Sequence, residues 1–254
     1  RVEDGGGMAR LNGKTAIVTG GASGFGAGIV RKFVAEGARV MVADINGDAA
    51  SALAKELGAT AQQVDVAKDA SVAAMAEAAY AAFGKLDILV NNAGVSHLPA
   101  PLDEISEADF DRVLAVNVKS VYLTARHVVP RFKAARSGVI LNIASTAAVS
   151  PRPRLSWYNA SKGWMVTATK SMAVELAPLG IRVNAINPVA GETPLLKTFM
   201  GEDTPEMRAK FLSTIPIGRF STPADIGNAA CYLCSDEASM VTGVALEVDG
   251  GRVI

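Results

Sequence analysis

The chain has 254 residues, half of them hydrophobic and a fifth charged, with 25 basic residues balancing 25 acidic ones. That length suits one large domain with a substantial core and is short for two. Zero net charge gives no support to nucleic-acid or membrane-surface binding, and two cysteines cannot build a disulfide framework, which fits a reducing, cytoplasmic setting.

Arg1–Gly7 (RVEDGGG) reads as an extraneous remnant ahead of Met8, leaving 8–254 as a single domain. No basic segment leads into an apolar run near the N-terminus, so a secretory signal is not expected. The longest uncharged stretch, Ser137 to Pro151, is too short and polar to span a bilayer.

From Leu11 onward a short apolar run repeatedly precedes an alanine-rich amphipathic stretch. The runs predict strands over Thr15–Thr19, Arg39–Asp44, Ala61–Asp65, Leu86–Asn91, Val139–Ile143, Ile181–Asn187 and Ala245–Val248. Helical patterns lie near Phe25–Glu36, Asp48–Leu57, Ser71–Phe83, Glu107–Ala135, Tyr158–Leu179 and Pro223–Ser235. Gly37, Gly58, Gly84, Gly138 and Gly180 each follow a helical stretch, where glycine can take the left-handed conformation that ends a helix. Strands alternating with helices imply right-handed βαβ units. The expected fold is a doubly wound α/β domain of three layers, a mainly parallel seven-stranded sheet with helices on both faces. Val189 to Phe220, rich in Pro, Gly and bulky apolar residues, reads as a lid or binding loop.

Thr19-Gly20-Gly21-Ala22-Ser23-Gly24-Phe25-Gly26 joins the first strand to the first helix. Such a turn lets backbone approach a diphosphate, and the helix N-terminus offers free N–H groups. The spacing Gly20-x3-Gly24-x-Gly26 departs from the common G-x-G-x-x-G. The second strand ends at Asp44, which can accept both ribose hydroxyls of an adenosine and repels a 2′-phosphate. No basic residue stands beside it in Asp44-Ile45-Asn46, so the cofactor is read as NAD. The plainer alternative is an aspartate capping the helix that follows.

Tyr158 and Lys162, at i and i+4, share one helix face. A phenol titrates near 10, and an ammonium beside it together with a cationic nicotinamide favours the phenolate. Ser145 falls just past the fifth strand, where a hydroxyl could bond the substrate oxygen. Asn117 shares a face with Phe110, Val113, Leu114, Val121 and Val128. It is either a satisfied structural amide or a relay position holding a water against Lys162.

From about Leu11 to its end the sequence resembles the short-chain dehydrogenase/reductase family, in its single-domain branch. The Thr19–Gly26 turn, Asn91-Asn92-Ala93-Gly94 and the set Asn117, Ser145, Tyr158, Lys162 carry the resemblance. It implies Tyr158 as general acid/base, Lys162 lowering its pKa and binding the nicotinamide ribose, Ser145 polarising the carbonyl and Asn117 supporting a water relay. It also implies Asp65 and Val66 at the adenine, with Asn92, Ala93 and Gly94 along the ribose. Gly20, Ser23, Gly24, Phe25, Gly26, Asp44, Ile45, Pro188, Gly191 and Thr193 complete the expected cofactor contacts, with Tyr158 and Lys162. One departure stands out: after Asn187-Pro188 the family has glycine, here Val189, and Gly191 replaces a branched apolar residue.

Several signals are set aside. Cys231-Tyr232-Leu233-Cys234 sits in an apolar helical pattern with no other ligand, so buried structural cysteines and no metal site are expected. His97 and His127 read as neither metal ligands nor bases, although His97 stands near the presumed site edge. Arg152 and Arg154 could meet an anionic substrate or simply form a solvated loop, and Trp157 could pack the start of its helix.

The leading expectation is an NAD-dependent oxidoreductase interconverting a secondary alcohol and a ketone, small to medium and apolar, cyclic or a sugar. A 3-oxoacyl-thioester reductase is the enzymatic alternative, and a cofactor-binding sensor or scaffold the non-catalytic one. The resemblance suggests a homotetramer, with the two long helices packing across a two-fold axis.

Overall fold

In a computed structural model the described residues are 9–254, so the expectation for Arg1–Gly7 lies outside them. Seven strands alternate with helices in chain order. The strands are β1 (Thr15–Thr19), β2 (Arg39–Asp44), β3 (Thr60–Gln63), β4 (Ile88–Asn91), β5 (Gly138–Ile143), β6 (Ile181–Pro188) and β7 (Ala245–Val248). All pair in parallel in the order β3-β2-β1-β4-β5-β6-β7. The order reverses between β1 and β4, which opens a crevice beyond their carboxyl ends.

The helices are α1 (Gly24–Ala35), α2 (Gly47–Leu57), α3 (Asp69–Phe83), α4 (Glu107–Leu114) and α5 (Ser120–Ala135). After them come α6 (Ser156–Leu176), α7 (Leu195–Met200), α8 (Pro205–Leu212) and α9 (Pro223–Cys234). The period of two along each strand divides the core. Ala16, Val18, Ile88, Val90, Leu141 and Ile186 face one layer with Ile29 and Phe33 of α1 and Ile226 and Leu233 of α9. Ile17, Leu89, Ile140 and Val183 face the other, with Met75 of α3, Phe132 of α5 and Leu176 of α6. Two buried faces explain why these strands read as continuous apolar runs. Cys231 and Cys234 are free thiols buried in the first layer.

Four departures from expectation bear on the architecture. Gly138 does not stop α5; Arg136 takes the left-handed position at φ 50°, and Gly138 opens β5, where a Cβ would lie 2.3 Å from the Phe132 ring. The strand predicted to Asp65 ends at Gln63, because Asp65 turns its carboxylate onto the Ala67 N–H, 3.0 Å away. Glu107–Ala135 is not one helix but α4 and α5 joined through a π-helical turn at Ala115–Lys119. Finally, α7 and α8 form inside Val189–Phe220, with Val189, Leu196, Met200, Phe211, Ile215 and Phe220 closing a separate small core.

A further use of glycine appears where α1 crosses α9. A Cβ on Gly28 would lie 2.2 Å from the Pro223 carbonyl oxygen, and one on Gly227 would lie 2.7 Å from that of Gly28. Among the described residues no helix is long and apolar enough to cross a membrane.

Candidate active site

The crevice holds a cleft of about 450 Å³. At one end the turn from β1 to α1 forms its floor. Gly20 (φ 60°) and Gly24 (φ 54°) are left-handed, and a Cβ on Gly20 would strike the Ala93 backbone at 2.9 Å. Thr19 joins the two neighbouring strand ends, its hydroxyl accepting the N–H groups of Asn92 and Ala93, both at 3.1 Å. The Asn92 amide returns two bonds of 3.0 Å to the carbonyls of Thr19 and Gly20. Gly26 lies behind this surface, off the wall, where a Cβ would stand 2.1 Å from the Gly20 carbonyl oxygen.

The N-terminus of α1 is left open. Ser23 gives it no side-chain cap and its first turn carries no acid. By contrast α2 is capped by Asn46, and Thr222 and Asp225 form a reciprocal capping box on α9. Unspent N–H groups at a helix start facing a cleft are an anion site in waiting. Asp44 does not cap α2, which Asn46 does. Its carboxylate accepts from Ala22 N–H and Asn46 N–H, each at 3.0 Å, so it braces the glycine turn and places a negative charge on the cleft wall. Ile45, Asp65 and Val66 line the same end.

At the other end Ser145, Tyr158 and Lys162 line one wall. Ser145 accepts the Ala147 N–H at 3.0 Å, which orients its hydroxyl at the end of β5. Tyr158 and Lys162 are both buried, and Lys162 Nζ donates to the Ile143 carbonyl at 3.0 Å. That ammonium sits 5.8 Å from the Tyr158 ring centroid. Burial pushes the Tyr158 phenol up to about 12, with the Ser145 hydrogen bond drawing it back. The protein alone therefore does not lower the phenol as the sequence suggested. Both groups are stripped of water, and burial also takes Lys162 down to about 8.

Asn117 does not line the cleft. Its side chain pairs with the Val95 backbone, accepting the N–H and donating to the carbonyl, both at 2.8 Å, and it donates to Ser161 Oγ at 3.0 Å. It thereby fastens the π-helical turn to the segment after β4. Gly94 lies between it and Lys162: a Cβ there would be 3.3 Å from Lys162 Nζ and 3.5 Å from Asn117 Oδ1. Asn92, Ala93 and Gly94 all reach the wall.

The Val189–Phe220 segment begins against the glycine-turn end of the cleft. A Cβ on Gly24 would lie 3.3 Å from that of Thr193, and Pro188, Gly191 and Thr193 line the cleft. The departure at positions 189 and 191 has a packing cause. Val189 is buried in the lid core, and Gly191 admits the Phe25 ring, whose edge would be 2.3 Å from a Cβ.

Phe199 and Phe211, from the segment read as a lid or binding loop, reach the cleft wall near Tyr158, and so does Leu155, which sequence reasoning missed because no motif marks it. Phe199 packs on Tyr158 with ring centroids 5.0 Å apart. Arg152, set aside from the sequence as part of a solvated loop, lies on the wall as well. Trp157 packs edge-on against Phe110 at 5.5 Å and donates to the Leu102 carbonyl. His97 is buried away from the cleft with Nδ1 at the Leu98 carbonyl, and His127 pairs with Asp69 at 2.8 Å.

A family profile described as enoyl-(acyl carrier protein) reductase matches residues 20–252. The chain is 50% identical over 250 residues to 4-formylbenzenesulfonate dehydrogenase of Comamonas testosteroni, covering 96% of this chain and 99% of that protein. It is 41% identical over 251 residues to D-threitol dehydrogenase of Mycolicibacterium smegmatis, covering 96% and 95%. The crystal structure of 3-ketoacyl-(acyl-carrier-protein) reductase from Brucella melitensis complexed with NADH superposes with a TM-score of 0.92 at 51% identity, covering 96% of this chain and all of that one. With that profile and those relatives over nearly its whole length, the chain belongs to the short-chain dehydrogenase/reductase family and is an oxidoreductase acting on CH–OH groups.

Proposed function

We propose that the protein is a single-domain, NAD-dependent oxidoreductase that interconverts a secondary alcohol and a ketone. The observation that carries this reading is one cleft joining an uncapped helix start, with Asp44 beside it, to the Ser145, Tyr158, Lys162 group. The glycine turn from Gly20 to Gly26 and the free N–H groups of α1 fit a diphosphate. Asp44 and Ile45 would hold the adenosine ribose, Asp65 and Val66 the adenine, Asn92 to Gly94 the further ribose, and Pro188, Gly191 and Thr193 the carboxamide side. The Asp44 charge disfavours a 2′-phosphate.

When bound, the nicotinamide accepts or supplies a hydride at the carbinol carbon. Ser145 Oγ–H holds the substrate oxygen by hydrogen bonding. The Tyr158 hydroxyl gives its proton to that oxygen in reduction and receives it in oxidation. Lys162, fixed on the Ile143 carbonyl, supports the phenolate electrostatically and binds the nicotinamide ribose. Asn117 acts by position: its locked amide holds the segment bearing Gly94 beside Lys162 Nζ, where a relay water would sit. Tyr122, Trp164 and Val174 expose apolar surface on α5 and α6, in keeping with a homotetramer built on those helices. The two unpaired thiols accord with a cytoplasmic setting.

The Brucella structure makes 3-oxoacyl-thioester reduction the second reading. A panel of secondary alcohols, ketones and a short 3-oxoacyl thioester, followed by NADH and NADPH absorbance, tests both. Turnover of simple ketones with NADH at least roughly tenfold faster than with NADPH is expected, since a like charge at the ribose costs more than a kcal/mol. NADPH preference with thioester turnover would favour the second reading. An inert panel would favour a sensor.

A further inference from the structure

The loop between β5 and α6 carries Arg152 to the substrate end of the cleft, on the wall that holds Tyr158, Phe199 and Phe211. Its backbone is pinned to the reacting helix: Asn159 Nδ2, next in sequence to Tyr158, donates to the Arg152 carbonyl at 2.8 Å. The half-buried guanidinium stacks 4.3 Å over the Phe211 ring and donates to Thr214 Oγ1 at 2.9 Å. A guanidinium has five N–H groups, so this bond leaves most of its donors unspent.

Among the described residues no carboxylate pairs with it. The ion pairs near the lid belong to Arg208, with Asp203 and Glu192, and to Arg219, with Asp225. Burial, and after it a second cation, Arg252, pull the Arg152 pKa down to about 10. Arg252 comes from the C-terminal segment and donates to Ser150 Oγ at 2.9 Å, and Ser150 lines the same wall. Among the described residues the buried Arg252 Nε has no partner. The nearby acid Asp249 turns its two oxygens onto the N–H groups of Gly251 and Val253 instead. Two guanidiniums, Arg152 on the cleft and Arg252 behind Ser150, with no carboxylate paired to either among the described residues, are an unfavourable pair where water is partly excluded, and an oxyanion entering beside Arg152 relieves it.

We propose that Arg152, backed by Arg252, forms a recognition subsite for an oxyanion on the substrate, a carboxylate or a sulfonate. The substrate is then an apolar body seated against Leu155, Phe199 and Phe211, with the reacting oxygen at Tyr158 and an acidic head at Arg152. This rests on the reading above that Tyr158 marks the reacting end. Arg152 is a substrate-positioning residue and takes no part in proton or hydride transfer. Charge-assisted, bidentate bonding by a guanidinium is the recognition chemistry.

The test uses NADH-loaded enzyme with acetophenone, 4-acetylbenzoate and 4-acetylbenzenesulfonate, and benzoate and benzenesulfonate as unreactive binding probes. Wild type is expected to favour an acid-bearing ketone over acetophenone in kcat/KM, chiefly through KM. R152M is expected to shrink that ratio about 30-fold or more and to weaken binding of the corresponding acid probe similarly, as loss of one partner of a buried charge pair does. R152K should retain part of the preference, and R252M should give a smaller loss. The two acid arms distinguish carboxylate from sulfonate. A purely packing role on Phe211 would instead lower acidic and neutral ketones alike and leave the ratio where it was, which overturns the proposal. So would equal wild-type affinity for benzoate, benzenesulfonate and neutral benzamide. If no ketone turns over, the alcohol–ketone reading falls, while titration of the acid probes into wild type and R152M still decides the subsite.

Discussion

The two ends of the cleft are built from different material. The cofactor end is mostly backbone: left-handed glycines, a bare helix start, and strand ends tied by Thr19 and Asn92. The substrate end is mostly side chains, drawn from β5, α6, the lid and the loop bearing Arg152. At Gly20 and Gly26 the backbone leaves no room for a Cβ, whereas the buried side chains carry large protonation costs. The fit at one end therefore depends on missing side chains, and the protonation behaviour of the other on desolvated ones.

The sharpest way to separate the ends is Tyr158→Phe. Turnover should fall about 10³-fold, within the usual contribution of a positioned acid/base, while NADH affinity by fluorescence titration stays within about threefold. Retained turnover would remove the phenol from the chemistry.

Lys162→Met tests the cost of desolvation. Burial lowers the lysine from 10.5 to about 8, so the native state holds this proton less tightly than the unfolded chain. Stability consequently rises with pH between about 8 and 10.5, and below 8 the buried ammonium costs about 3 kcal/mol. Tyr158, raised from 10.0 to about 12, works the other way: its contribution is full below 10 and is lost as pH climbs through 12. Lys162→Met is thus expected to lose turnover yet gain up to about 3 kcal/mol in urea unfolding at pH 7, with a flatter pH 8–10.5 profile. A destabilised variant would show that the bond to Ile143 outweighs burial.

The smallest effects distinguish glycines by their surroundings. Gly26→Ala drives a Cβ into the Gly20 carbonyl and the Asn92 amide and should cost about 2 kcal/mol of stability, with clearly weaker NADH binding. Gly58→Ala, at φ 66° in open space, meets only backbone strain of about 1 kcal/mol and should leave NADH affinity alone. Equal losses of NADH affinity in the two would dissolve the contrast.

Legibility follows the same division. The inner strands were readable because two-sided burial writes an apolar run into the chain, and β1 and β2 fall at their predicted bounds, as does the half-buried edge strand β7. Gly58, Gly84 and Gly180 end their helices as expected, each at positive φ. The break at Asn117 was hidden, since the apolar stripe continues through the π-helical turn. That turn is fixed by bonds to Val95, distant in sequence. The position of Arg152 was equally open, because an arginine in a Pro-rich loop looks the same whether solvated or pressed against Phe211.

The amino-acid sequence by itself determined the βαβ framework and the family, and it picked out Ser145, Tyr158 and Lys162 as the candidate chemistry-bearing set, since local periodicity and short spacings encode them. Tertiary structure alone decided that burial raises Tyr158 and lowers Lys162, that Asn117 is spent on Val95, and that Arg152 reaches the cleft wall with Arg252 behind it at Ser150 and no carboxylate paired to either among the described residues. Desolvation and partnership depend on what the rest of the chain brings alongside, and no local pattern carries that information.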